Sequence, residues 1–406
     1  MTSILTEKIS IRDDLVSVGD LPPPQGPLVG YRVLDLGVLF AGPLVGSFLG
    51  DYGADVVKVE PPQGGDSLRG FGWSKGDAAL YWKFGARNKR TITADLRTEE
   101  GQDLVRRLAA EADVVVENFR PGRMEAWNLG WDELHELNPR LVMLRVSGFG
   151  QHGPKREQPG FGTIAESMSG FAAITGWADR PPTLPPFGLA DGIAAMAGAF
   201  ATVSALLWRD AHDGEGQQID IAITDPIFSI LGPQSTVYDA LGIEQERTGN
   251  RTVFTVPRGA YLCSDGRWVA LSGATQSVAR RVFEAIGKGE LFDDPRFSTN
   301  EQRVKNVDAV DELLDEWIGR HDRDEVIEVF EAAQCAIGPV YGISEILEDE
   351  HFKARPMFVR IPDDQLGEVV MPNVIAQMSA TPGLVRHPGR PMDADRDEIL
   401  RSWLDE

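Results

Sequence analysis

Three stretches decide the fold: Val33-Leu34-Asp35-Leu36, then Ala41-Gly42-Pro43, then Val56-Val57-Lys58-Val59. The first reads as a buried strand, the second opens an apolar helix ending near Asp51-Tyr52-Gly53, and the third is another strand. A strand, helix and strand at this spacing form a βαβ unit, which requires a parallel pair because the helix returns the chain to its starting end. The alternation continues with a strand over 91–96, helical periodicity over 99–111, and short buried strands over 114–117 and 141–147. Alternating β and α elements predict an α/β fold whose large domain is a Rossmann-like, doubly wound parallel sheet.

Further along, residues 192–208 read as one long, Ala-rich buried helix leading to a strand over 219–223. Beyond Asp225 the texture changes. Residues 256–263 and 267–272 look like an antiparallel hairpin turning at Asp265-Gly266, followed by helices over 276–286, 307–320 and 323–333. The expected organisation is an extended arm at 1–29, a large domain at 30–224, a smaller α+β domain with linkers at 225–335, and a segment at 336–406 returning to the large domain.

The 406 residues carry 62 acidic against 40 basic side chains, a formal charge of −22, without a basic block. Nucleic acid and anionic membranes both need clustered Lys and Arg, so neither is an expected partner. An anionic ligand must therefore find a local basic pocket. No stretch approaches the roughly 18 uninterrupted apolar residues of a membrane span, and the first thirty residues lack the pattern of a signal peptide. Two distant cysteines, Cys263 and Cys335, suit a reducing compartment and build no disulfide framework. A cytoplasmic protein is expected. No His, Asp, Glu or Cys grouping has metal-ligand spacing, so no metal is expected.

The first βα turn lacks G-x-G-x-x-G, since Pro43 stands where the glycine turn would finish, which disfavours hydride transfer to a dinucleotide. Glu117-Asn118-Phe119-Arg120-Pro121-Gly122-Arg123 follows a strand, at the end where open α/β sheets collect ligands. Asn118 suits an amide or ring edge, Phe119 a flat ring, and Arg120 or Arg123 a phosphate; an ordinary loop with exposed arginines fits the same residues. Lys89, Arg90 and Arg97 could add positive charge or simply be solvated surface. Asp191, just before the apolar helix, reads as its N-cap, where the helix dipole favours the ionised form and leaves a carboxylate nucleophile. Asp is also simply a favoured cap. The run Ser147-Gly148-Phe149-Gly150-Gln151-His152-Gly153 offers backbone donors to an oxyanion or is a plain loop, and no hydrolase elbow accompanies His152.

Taken together, these motifs closely resemble the class III CoA-transferases, the formyl-CoA and carnitine CoA-transferase family. Gly53-Ala54-Asp55-Val56-Val57-Lys58-Val59-Glu60, Asn88-Lys89-Arg90, Gly216-Gln217-Gln218-Ile219-Asp220, Val256-Pro257-Arg258-Gly259 and Ile337-Gly338-Pro339-Val340 extend the match from about Gly30 nearly to the end. The resemblance implies a homodimer of interlocked chains. It also implies that Asp191, reached through Thr175-Gly176, Pro181-Pro182 and Gly188-Leu189-Ala190, is the nucleophile. That aspartate would pass through a mixed anhydride to an aspartyl-CoA thioester while CoA moves from an acyl-CoA to a carboxylic acid.

By the same resemblance Phe40, Ala41, Arg97, Asn118 and Phe119 contact CoA, which arrives as acyl-CoA substrate; no permanently bound cofactor is implied. An arginine commonly found after the Asn-Phe pair is Ala126 here, leaving Arg123 as the neighbouring candidate. The glycine-rich loop that formyl-CoA transferases carry after Val-Pro-Arg-Gly is missing. Pro159-Gly160-Phe161-Gly162-Thr163-Ile164-Ala165-Glu166 is instead similar to members using succinyl-CoA and small di- or hydroxy-acids. The rival reaction on this fold is α-methylacyl-CoA racemisation, whose histidine belongs where this chain has Phe161, a residue that carries no proton. A non-catalytic CoA-binding scaffold, with Asp191 idle, is the third reading.

Overall fold

The computed structural model describes residues 22–273 and 275–406, so most of the arm expected at 1–29 lies outside the described residues. Six strands, β1 (Arg32–Asp35), β2 (Asp55–Glu60), β3 (Lys89–Thr93), β4 (Val114–Glu117), β5 (Val142–Ser147) and β6 (Gln218–Ala222), form one sheet. Their order is β3-β2-β1-β4-β5-β6 and every neighbouring pair is parallel. This is the doubly wound, Rossmann-like order, and its direction of travel reverses between β1 and β4. A ligand crevice belongs at that reversal, beyond the strands' carboxyl ends.

Sequence and sheet agree in physical detail. Val114, Val115 and Val116 are all fully buried, as expected where helices cover both faces of a parallel sheet. The helices that matter for the site are α1 (Ala41–Asp51), α2 (Glu99–Ala110), α3 (Gly162–Met168) and α4 (Leu189–Ala211). Helix α2 starts where Thr98 Oγ1 accepts the Gly101 N–H at 3.1 Å and Glu99 and Glu100 face the positive end of the helix dipole. The strand expected at 91–96 instead occupies Lys89–Thr93, because the Lys89 ammonium is buried against Asp35 at 2.8 Å rather than solvated. The free edge of β3 is covered by the C-terminal segment: Thr91 N–H donates to Asp395 at 2.8 Å and Thr93 N–H to Asp393 at 2.7 Å. Capping an edge in this way removes a template for unwanted pairing.

The chain divides into two compact units. The first holds the described residues up to Ser169, Pro185–Gly232 and His351–Glu406. The second holds Gly170–Leu184 and Pro233–Glu350, with an antiparallel sheet of β7 (Arg258–Leu262), β8 (Trp268–Ser272) and β9 (Ala336–Pro339) in the order β9-β8-β7. Helices Gln276–Ala285, Val307–Ile318 and Arg323–Ala332 bring Phe283, Leu314 and Phe330 into its core.

Helix α4 departs from the expectation of a fully buried helix. Ala190, Ala194, Gly198, Thr202 and Ala205 are buried, while Met196, Phe200, Val203 and Leu207 form an exposed apolar stripe. By length and composition alone this helix would also pass for a membrane span. The small residues on its buried side explain its closeness to the sheet: a Cβ on Gly198 would meet Leu144 at 3.0 Å and Val45 at 3.1 Å.

Candidate active site

The turn from β1 into α1 is fixed from below by buried charge. Asp35, at the end of β1, accepts the Gly37 N–H at 2.9 Å and pairs with Lys89 at 2.8 Å and Lys58 at 3.7 Å. Lys58 donates to the Gly37 carbonyl and pairs with Asp66 at 3.1 Å, while Asp66 accepts the Leu39 N–H at 3.1 Å. Lys89 donates to the Pro43 carbonyl. Desolvating these charges is expensive, and they are tolerable only because each meets an opposite charge or a backbone dipole. The result is a turn whose backbone is held almost group by group.

From across the reversal, Asn118 completes the fixation. Its Oδ1 accepts the Val38 N–H at 2.7 Å and its Nδ2 donates to the Val38 carbonyl at 2.8 Å. A Cβ on Gly42 would lie 3.2 Å from the Asn118 Cβ, so glycine admits this contact. The first turn of α1, with N-cap Phe40, has no side-chain cap on its free N–H groups, which face the carboxyl end of the sheet.

Helices α1 and α4 each return the chain to the start of a strand, so both have their N-termini at the carboxyl end of the sheet. Where they touch, Gly198 faces Val45. At a helical rise of about 1.5 Å per residue, Asp191 lies roughly 10 Å from Gly198 and Ala41 roughly 6 Å from Val45, both toward that end. Asp191 therefore lies at the same end of the sheet as the α1 N-terminus.

The structure corrects the expected setting of this aspartate. The N-cap of α4 is Gly188, and Asp191 is the third residue of the helix with no cap hydrogen bond, because Leu189 and Ala190 are already helical. Its carboxyl pKa moves up, not down, from 3.8 to about 6, through burial first and the Glu166 charge second. Loss of water outweighs the helix dipole here. Glu166 of α3 is 2 % exposed, and its Oε1 accepts the Ala190 N–H at 3.2 Å. Glycines make room for the Asp191 carboxylate: a Cβ would lie 2.3 Å from its Oδ2 if placed on Gly162 and 3.2 Å if placed on Gly188. Nearby, Gly148 and Gly160 pack backbone to backbone, and both Ser147 Oγ and Gln151 Nε2 are buried without a hydrogen-bond partner among the described residues.

The family model for CoA-transferase family III matches residues 28–396. The chain belongs to CoA-transferase family III. Among its relatives, the succinyl-CoA–D-citramalate CoA-transferase of Chloroflexus aurantiacus is 41% identical over 94% of this chain and 95% of its own length. The succinate–glutarate CoA-transferase of Agrobacterium fabrum is 33% identical over 94% of this chain and 96% of its own. Among solved structures, a CaiB/BaiF family protein from Brucella suis superposes with a TM-score of 0.83 at 33% identity, covering 93% of this chain and 100% of that one. The protein is thus an enzyme of CoA transfer, acting on CoA thioesters, on an α/β fold shared with CaiB/BaiF proteins.

Within this class III CoA-transferase, the expected CoA contacts fall into two groups. Phe40 and Ala41 follow β1 and Asn118 and Phe119 follow β4, so all four lie at the sheet reversal, where Phe40 is half-buried and Ala41 is 2 % exposed. Phe119 lies edge-on to Trp127 at 5.1 Å, and the Arg123 guanidinium lies 5.5 Å from the same indole. Arg97 stands apart beyond the edge strand β3, exposed and gripped by Asp95 through two hydrogen bonds of 2.8 Å. Asn118, expected to bind a ligand amide or ring edge, has its oxygen and its nitrogen each bonded to Val38.

Lys89, which could have been added positive charge or solvated surface, is instead buried against Asp35, and Gly162 owes its part to the Asp191 carboxylate beside it. A lysine inside an otherwise apolar strand, as at Lys58, was the available signal for a buried charge network.

Proposed function

We propose that the enzyme moves CoA from succinyl-CoA to a small hydroxy diacid through a thioester on Asp191. The observation carrying this reading is the Asp191 carboxylate itself: partly buried, without an ion pair among the described residues, and bared by Gly162 and Gly188. With a pKa of about 6 it is ionised at neutral pH yet more basic than an ordinary aspartate, which favours nucleophilic attack.

In the first half-reaction an Asp191 oxygen attacks the thioester carbonyl, the C–S bond breaks, and CoA leaves as thiolate. The thiolate then attacks the aspartyl carbonyl of the mixed anhydride, expelling the donor acid as carboxylate and leaving the Asp191–CoA thioester. The acceptor carboxylate repeats these steps in reverse order: it attacks the aspartyl thioester, displaces thiolate, and is itself captured by thiolate as acyl-CoA. In the first half the Asp191 charge departs with the donor carboxylate, and in the second the acceptor carboxylate brings it back as Asp191 is released, so no proton is needed. Keeping water from these acyl intermediates preserves the thioester's free energy.

The relatives' names support the substrates, since those from Chloroflexus pair succinyl-CoA with D-citramalate or L-malate. Phe40, Ala41, Asn118 and Phe119 form the CoA crevice in this reading, with Asn118 shaping it through Val38 and with Arg97 and Arg123 as the exposed cations for its phosphates. A cytoplasmic homodimer belongs to the same reading, since the apolar stripe Met196, Phe200, Val203 and Leu207 suits burial against a second copy. Phe161, directly before Gly162, offers no proton for the racemase alternative.

Intact-protein mass spectrometry after incubation with succinyl-CoA tests the proposal. Wild type should gain a CoA-sized, hydroxylamine-labile mass that Asp191→Ala lacks. No gain with any acyl-CoA donor, together with α-proton exchange in a 2-methylacyl-CoA, would replace it with an isomerase.

A further inference from the structure

The other buried carboxylates of the first unit meet cations: Asp35 pairs with Lys89, Asp51 with Arg87 at 2.7 Å, and Glu117 with Arg145 at 2.8 Å. Asp191 and Glu166 do not follow this rule. They sit on contacting helices, where Glu166 accepts the N–H of Ala190, the residue before Asp191, at 3.2 Å, and no ion pair reaches either among the described residues. Leaving two carboxylates together out of water is unfavourable, and folded chains ordinarily relieve it with a cation or a protonated partner. Here the covalent chemistry offers a different relief.

We infer that Glu166 is a positioning residue whose negative charge, fixed on the first turn of α4, drives Asp191 from free carboxylate toward its CoA thioester. The inference rests on the aspartyl-thioester reading above. Over the first half-reaction the enzyme carboxylate and acyl-CoA become the enzyme thioester and a free acid carboxylate. The Asp191 charge thus disappears from beside Glu166 and reappears on an acid that can leave for water. Whatever repulsion Glu166 exerts on the Asp191 carboxylate is released on thioester formation, as it is on protonation, because both products are neutral at that position. The two equilibria must therefore shift together when the Glu166 charge is removed.

Other charged groups around the pair do not take this role. Helix α3 carries only Glu166, and α4 has its remaining charges, Arg209 and Asp210, at the far end. Helix α1 carries only Asp51, held by Arg87. The helix Thr224–Ser229, packed against both α3 and α4, carries Asp225, which is exposed. On the adjoining strands, Arg145 of β5 is taken by Glu117 and Glu125, and Asp220 of β6 accepts the Gln151 N–H at 2.9 Å.

Glu166→Gln separates charge from geometry, since the amide oxygen can still accept the Ala190 N–H. At fixed succinyl-CoA and succinate, the ratio of CoA-bound to free enzyme read by intact mass should fall about 3- to 10-fold in E166Q, and the acid limb of the rate profile should move down by the matching half to one pH unit, roughly. Glu166→Asp, which keeps the charge, should retain most of the adduct. An unchanged ratio with an unchanged acid limb in E166Q overturns the inference, as does a loss of adduct shared equally by E166D and E166Q. Absence of adduct in wild type and variant alike sinks the thioester reading instead. The charge coupling is then still read from the pH dependence of melting, where the midpoint assigned to Asp191 must fall in E166Q; an unmoved midpoint overturns it.

Discussion

Gly162 and Asp191 compete for one volume: a Cβ added to the glycine would lie 2.3 Å from Oδ2 of the aspartate. Gly162 opens α3 in ordinary helical conformation, so its value lies in the missing side chain and not in backbone freedom. Gly162→Ala should therefore fold, gaining up to about 1 kcal/mol of helix propensity against an overpacking cost of similar size. The displaced carboxylate should lower kcat/KM at least about tenfold. Far-UV circular dichroism alongside steady-state kinetics separates the two effects, and full activity would show that the carboxylate adapts.

Asp191 should make the folded state less stable as pH rises. Its pKa is raised in the fold from 3.8 to about 6, so between those values the native state holds more protons than the unfolded chain and stability falls with increasing pH. Asp191→Asn, neutral throughout, should match wild type below about pH 4 and exceed it above pH 6 by up to about 3 kcal/mol. Thermal melts across that range give the answer. A variant less stable than wild type at pH 8 would mean that the carboxylate makes favourable contacts outweighing its burial.

Activity should follow the ionised form of the same group. With a pKa of about 6, the rate should be on its plateau above pH 7 and lose about tenfold per unit well below the midpoint. The profile is best measured on the single-turnover acylation step, so that acceptor ionisation does not intrude. A limb near pH 4 would imply an Asp191 more solvated than its surroundings indicate.

Asn118→Ala would free both polar groups of Val38 and leave the first βα turn held by Asp35, Lys58, Asp66 and Lys89. Losing two partly buried hydrogen bonds should cost about 1–3 kcal/mol and raise the KM for acyl-CoA more than it lowers kcat. Isothermal titration with CoA would check the binding component. An unchanged affinity would show that Gly37, Leu39 and Pro43, tied to Asp35, Lys58, Asp66 and Lys89, suffice to hold the crevice.

The parallel sheet was readable from the chain because its signal is local: runs such as Val114-Val115-Val116 are apolar wherever they are placed, and helical stretches such as the one opening at Gly42-Pro43 punctuate them. The motif set likewise marked the CoA-transferase family and singled out Asp191, Phe40, Ala41, Asn118 and Phe119. What the linear pattern misassigned was always a matter of company. Lys89 looks like any surface lysine until the sheet places Asp35 beside it, and Asn118 like a free amide until Val38 arrives from the turn after β1.

The same division holds at the Asp191 carboxylate. Which residue it is, and that an apolar helix runs on from it, are legible in the chain. Whether that carboxylate is easily ionised was decided by tertiary structure alone, because desolvation and the approach of Glu166 depend on neighbours brought in by α3 and not on adjacent sequence. Short-range preferences are written residue by residue along a chain, whereas a pKa and a cleared volume are sums over everything that packs around an atom.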